Sequence, residues 1–205
     1  NDVVDKTKAT VTGDGKLTYG ADSKVTITPA NGYYISAISG IDGSYEVANG
    51  AWEKNYTKIT SNINIVATIS DNPSVTVDVY YNDKKVTNMA TVNGDGKTSG
   101  YGVNQTVTVT PNEGYYIKTV KENDALLDTY TAKAGTFSYT FKGKQNTIIS
   151  VYLNDNPKVK VKYVDVRSDA VITNGNVAVT IDGKQNTDDG VSVGYNSIPE
   201  LNAII

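Results

Sequence analysis

The sequence predicts an all-β protein made of tandem small antiparallel β-sandwich modules of the Ig-like kind, with β-grasp-like repeats as the alternative. Three observations carry that expectation. A long block of sequence occurs twice and begins a third time. Between its turns, Val, Ile, Thr and Tyr alternate with polar residues at the period of a half-buried strand. Sustained helical periodicity is absent: the nearest approaches, Val47 to Lys54 and Glu122 to Tyr130, are short and poorly capped.

The repeat governs everything after it. Asn1-Asp2 and Ala9-Thr10-Val11-Thr12-Gly13-Asp14-Gly15-Lys16 recur 81 positions later as Asn82-Asp83 and Ala90-Thr91-Val92-Asn93-Gly94-Asp95-Gly96-Lys97. Tyr19-Gly20, Val25 to Pro29 and Gly32-Tyr33-Tyr34-Ile35 return 82 positions on, as Tyr101-Gly102, Val107 to Pro111 and Gly114-Tyr115-Tyr116-Ile117. Asn62 and Asp71-Asn72-Pro73 match Asn146 and Asp155-Asn156-Pro157 at a spacing of 84. The small drift places the length changes in loops. A third copy opens with Val159 to Val164 in the place of Val75 to Tyr80, and Val177 to Lys184 resembles the strand entering Gly94-Asp95-Gly96-Lys97. The expected modules are residues 1–73 with the first strand missing, 74–157 complete, and 158–205 as an incomplete third.

Within the complete copy, strands are expected near Val75–Tyr81, Val86–Val92, Thr106–Thr110, Tyr115–Lys121, Thr136–Phe141 and Thr147–Leu153. Gly-Asp-Gly-Lys supplies positive-φ positions for a tight hairpin. Thr-Pro-x-x-Gly turns with a preset Pro and a closing Gly, and Asp-Asn-Pro ends each copy because Pro drives the preceding Asn to extended geometry. Alternation puts Tyr33, Ile35, Tyr115 and Ile117 inside, with Tyr34 and Tyr116 outside. Ile38 and Val120, Ile65 and Ile149, and Ile69 and Leu153 complete matching cores.

Composition narrows the function. The 205 residues carry a net charge of −3, so no broad basic field exists to hold nucleic acid or anionic lipid. No stretch is long and apolar enough for a membrane-spanning helix. With no cysteine and no histidine, Cys nucleophiles, disulfides, the usual zinc ligands and the default neutral-pH base are absent.

Exposed rings are the main ligand candidates. Tyr34, Trp52 and Tyr116 form the expected sugar-stacking platform, with Tyr19, Tyr80, Tyr81 and Tyr101 as further candidates. Set against this, tyrosine is simply a good strand former. Asp14, Asp95, Asp182, Asp188 and Asp189 are oxygen ligands of the type calcium takes, but lack a calcium-loop spacing. Asp42 with Glu46 is an acid–base pair without an evident cleft. Neither a metal, a cofactor nor a catalytic residue is therefore expected. Lys24, Lys58 and Lys160 lie in strands, where a Lys–Asn crosslink is conceivable, although strand lysines ordinarily guard edges.

The pattern of a strand, Thr-Pro-x-x-Gly-Tyr-x-Ile-x-x-Ile/Val, a Tyr-Thr pair (Tyr56-Thr57, Tyr139-Thr140) and an Asn before the last apolar strand resembles the divergent internalin B-type repeat. It is similar to other Tyr-rich modules of bacterial surface proteins. The resemblance implies a non-enzymatic, extracellular segment, secreted or wall-anchored, acting as a stalk, spacer or adhesin scaffold. A carbohydrate-binding module and a fibre subunit assembled by strand complementation are the rival readings. Expected partners are a glycan, a host or cell-surface protein, or another copy of the chain head to tail, with no nucleic acid.

Overall fold

The computed structural model describes residues 5–162, 178–187 and 189–204, and among them every regular element is a strand. The first copy supplies β1 (Ala9–Thr12), β2 (Ala21–Pro29), β3 (Tyr33–Ser39), β4 (Trp52–Ile59) and β5 (Val66–Asp71). The second supplies β6 (Ser74–Tyr81), β7 (Lys84–Val86), β8 (Ala90–Asn93), β9 (Gly96–Lys97), β10 (Asn104–Pro111), β11 (Tyr115–Glu122), β12 (Ala125–Leu126), β13 (Phe137–Lys142) and β14 (Thr147–Asp155). The third supplies β15 (Lys158–Val159), β16 (Ala178–Ile181), β17 (Lys184–Gln185), β18 (Val191–Ser192) and β19 (Leu201–Ile204). Contacts group the chain into two compact units, one of residues 1–76, 94–107 and 139–147, the other of 77–93, 108–138 and 148–205.

The second copy forms two sheets, β13-β10-β8 and β12-β11-β14-β6-β7, with β9 also paired to β6. The first copy forms the corresponding sheets β1-β2-β4 and β3-β5. Several small antiparallel sheets without a helix among the described residues are what tandem all-β modules predict. Inward positions follow the strand period: Val107 and Val109 on β10 and Ile149, Val151 and Leu153 on β14 stand two apart, and Val75 and Val79 on β6 four apart. All seven are buried. The first-copy counterparts Ile65 and Ile69 are only half-buried. Among the described residues β5 pairs with β3 alone, whereas β14 lies between β11 and β6.

Ile35 and Ile117 are fully buried as expected, and a bulge follows each: three positions on, Val120 reaches the core, whereas Ile38 is only half-buried. Ile35 pairs with Ile69 and Ala37 with Thr68, leaving Ser36 extra; Ile117 and Thr119 flank Lys118 in the same way. The inserted residue shifts the alternation by one, so Val120 joins Ile117 in the core at 1% exposure. Each bulge carries a cap. The Tyr45 hydroxyl donates to the Ile35 carbonyl at 3.2 Å, and the Tyr130 hydroxyl to the Ile117 carbonyl at 2.8 Å. Burial pushes the Tyr130 phenol above its ordinary pKa. Tyr130→Phe should cost about 1–2 kcal/mol, because it strips a partner from a buried carbonyl. Urea unfolding checks this, and an unchanged midpoint would show the cap to be dispensable.

Three expectations are corrected. Tyr116 is buried, at 8% exposure, while Tyr115 is only half-buried, and Tyr34 is half-buried like Tyr33. The register is not inverted, since the isoleucines stay inside; the outer face is covered as well. Second, Gly-Asp-Gly-Lys does not close a tight hairpin. Gly94 leaves β8, and Gly96-Lys97 then pairs with Ser74-Val75 of β6. The two-residue hairpins with both residues at positive φ sit at Asn82-Asp83, Asn123-Asp124 and Asp182-Gly183. Third, Asp182-Gly183 joins β16 to β17 just as Asn82-Asp83 joins β6 to β7, so Val179 to Lys184 matches the β6–β7 hairpin and not the strand before Gly94. Tyr163, Val164 and Val177 lie outside the described residues.

Candidate functional site

The features that recur with the same geometry are the two places where one copy meets the next. Each lies within a single compact unit.

At the first, Tyr34 of Gly-Tyr-Tyr-Ile stacks on Tyr101, centroids 4.6 Å apart and planes at 21°. The Thr98 amide donates to the Pro73 carbonyl at 2.8 Å, beside the Ser74–Lys97 and Val75–Gly96 pairs. Asn72 sits 5% exposed, its amide bonded to the Gly32 carbonyl at 2.8 Å and its Nδ2 to the Thr98 carbonyl at 3.4 Å. Asp71 takes an ion pair from Lys97 at 3.1 Å, and the same ammonium lies 5.7 Å from the Tyr33 ring centre. Asn146 fixes the entry of β6 by accepting from the Ser74 amide at 2.9 Å and its hydroxyl at 3.2 Å.

At the second, Tyr116 stacks on Tyr195 at 4.0 Å and 11°, and Asn154 donates to its hydroxyl at 3.3 Å. The Val193 amide donates to the Pro157 carbonyl at 2.8 Å, beside the Lys158–Ser192 and Val159–Val191 pairs. The Asn156 amide is held by the Gly114 carbonyl at 2.8 Å. Lys184 hydrogen-bonds Glu113, and that bond holds the Glu113 carboxyl below its ordinary pKa. The third copy's small core, Val179, Ile181, Val191 and Val193, stands behind this junction. Asn186 completes it by bonding both the amide and the carbonyl of Val161, at 3.1 and 2.9 Å.

The expected sugar platform is dispersed by these contacts. One face of Tyr34 and one face of Tyr116 are taken by other tyrosines. Trp52 lies on β4 opposite Ile27, half-buried, beside a shallow hollow lined by Ser44, Tyr45, Glu46 and Gly50. Tyr80 stacks on Tyr152 at 5.0 Å, and Tyr81 donates to both Asp155 oxygens at 3.0 and 3.1 Å, which raises its pKa. Asp42 is 3.7 Å from Lys54, and Lys24 is 2.8 Å from Glu53, both at the surface. Lys58 gives its amide to Asp22, and Lys160 is exposed. Among the described residues no group of three acidic side chains is placed to hold a metal ion; Asp188 lies outside them. What the sequence reading missed is the pairing of Tyr34 and Tyr116 with Tyr101 and Tyr195. The signal was present, since a tyrosine follows this region in all three copies, at Tyr19, Tyr101 and Tyr195.

Duplicated two-sheet modules, joined by a repeated aromatic and main-chain contact, define a tandem β-repeat protein. The divergent InlB B-repeat domain model matches residues 2–73 and 83–156, and the chain belongs to that family, a repeat module of bacterial surface proteins. Comparison with curated proteins and with solved structures finds no match.

Proposed function

We propose that the chain is an extracellular, non-enzymatic stalk or spacer segment of a bacterial surface protein, whose work is to hold successive repeats at a fixed relation. The observation that carries this reading is the junction built twice from the same parts: a Tyr–Tyr stack, a proline carbonyl taken by an amide, and a two-residue ladder. Stacked rings contribute about 0.5–1.5 kcal/mol beyond their buried area, and the ladder adds directional bonds. Together they oppose free bending, so copy number sets reach.

Nitrogen-15 relaxation tests the reading. Copies flanking each junction should share one rotational correlation time, and Tyr34→Ala or Tyr116→Ala should loosen the corresponding pair without unfolding it. Independent tumbling in the unaltered chain would sink the stalk. Glycan-array binding that disappears in Trp52→Ala would instead replace it with the carbohydrate-binding reading.

A further inference from the structure

The acceptor half of the junction exists three times, and one of the three is open. Leu17, Thr98 and Val193 occupy the same place, after Gly15-Lys16, Gly96-Lys97 and Val191-Ser192. Thr98 is 4% exposed and Val193 6%, each under a proline carbonyl, but Leu17 is 47% exposed. Tyr101 and Tyr195 are half-buried beneath another ring, but Tyr19 is 82% exposed, and no ring among the described residues stacks on it. The backbone presenting Tyr19 is nonetheless fully formed. Gly20 donates to the Ile59 carbonyl at 2.8 Å and Ala21 to the Thr18 carbonyl at 3.0 Å, mirroring Gly102 to Gly143 at 2.9 Å and Val103 to Gly100 at 3.3 Å. Lys16 and Asn62 stand at the positions of Lys97, which pairs with Asp71, and of Asn146, which grips the Ser74 amide. Leu17 and Tyr19 are thus open where their counterparts in the later copies are covered.

We propose that the Leu17–Tyr19 face is the seat of a further repeat of this family, placed upstream and docking its second Gly-Tyr-Tyr-Ile tyrosine on Tyr19 and its Asp-Asn-Pro carbonyl on the Leu17 amide. The proposal extends the stalk reading, on whose junction it rests. The occupant follows from complementarity: the donor half at both observed junctions presents a ring and a proline carbonyl, with Asp71 added at the first, and the face offers a ring, an amide and a lysine. A second copy of this chain has no free donor half of this kind, because its Tyr34 and Tyr116 are already stacked.

The test adds residues 1–81 directly ahead of Asn1 of the full chain, which preserves the natural repeat spacing. Amide hydrogen exchange is then read at Leu17, Thr98 and Val193. In the 205-residue chain Leu17 should exchange fast and the other two slowly. In the extended chain Leu17 should slow roughly tenfold or more, and Tyr19→Ala in that chain should restore fast exchange. Leu17 remaining fast while Thr98 and Val193 stay protected overturns the seat and leaves the stalk intact. Fast exchange at all three overturns both. Concentration-dependent protection of Leu17 in the unextended chain assigns the face to a second copy and also overturns the proposal.

Discussion

Gly94→Ala is expected to be among the most damaging single substitutions in the chain, with a loss of more than roughly 3 kcal/mol. Gly94 holds φ at +83°, and an added Cβ would stand 2.1 Å from the Thr106 carbonyl oxygen. That neighbour is backbone in a ladder, so no rotamer change relieves the clash, and left-handed strain adds about 1–2 kcal/mol. Gly13→Ala should behave alike, with its Cβ 2.0 Å from the Lys24 carbonyl oxygen at φ +80°. Gly102→Ala is the control: its φ is +69°, but nothing lies within 4 Å, so only about 1 kcal/mol of strain is expected. Exchange of the β10 and β14 amides reports the second copy, and Trp52 fluorescence reports the first. Equal losses for Gly94→Ala and Gly102→Ala would show that close approach is not the reason for glycine here.

Ile149→Ala should cost about 2–5 kcal/mol, the range for emptying a close-packed core site. Ile149 is fully buried on β14, which has β11 on one side and β6 on the other. Ile65→Ala, at the matched position of the first copy, should cost less than half as much. Ile65 is already half-buried, and β5 has one ladder partner among the described residues. Copy-specific hydrogen exchange separates the two losses. Equal costs would mean that the first copy's core is as closed as the second's.

Strand positions were legible because they depend on local alternation: the expected Val75–Tyr81 and Thr147–Leu153 appear as Ser74–Tyr81 and Thr147–Asp155. The spacing of Ile35 to Ile38 and Ile117 to Val120 also encoded the bulge, since a straight strand cannot bury residues three apart on one face. Tyr116 was misread because its cover, Tyr195, lies far along the chain. A tyrosine's local pattern does not say whether water or another ring meets its outer face. The third copy was misaligned because Asp-Gly serves two unlike purposes. At Asp182-Gly183 it satisfies a two-residue turn, whereas beside Gly94 the glycine is demanded by a neighbouring carbonyl.

The matched segments, 2–73 and 83–156, leave Ser74 to Asn82 outside both, yet β6 within that gap lies beside β14 and anchors β9. The family match and the body that folds are therefore out of phase by one strand, like bricks laid in running bond. A cut at 83 leaves behind a strand that the following sheet needs, and a cut at 74 keeps that sheet whole. Gain or loss of one duplicated stretch keeps every interior sheet complete, because each copy finds its missing strand in the same place.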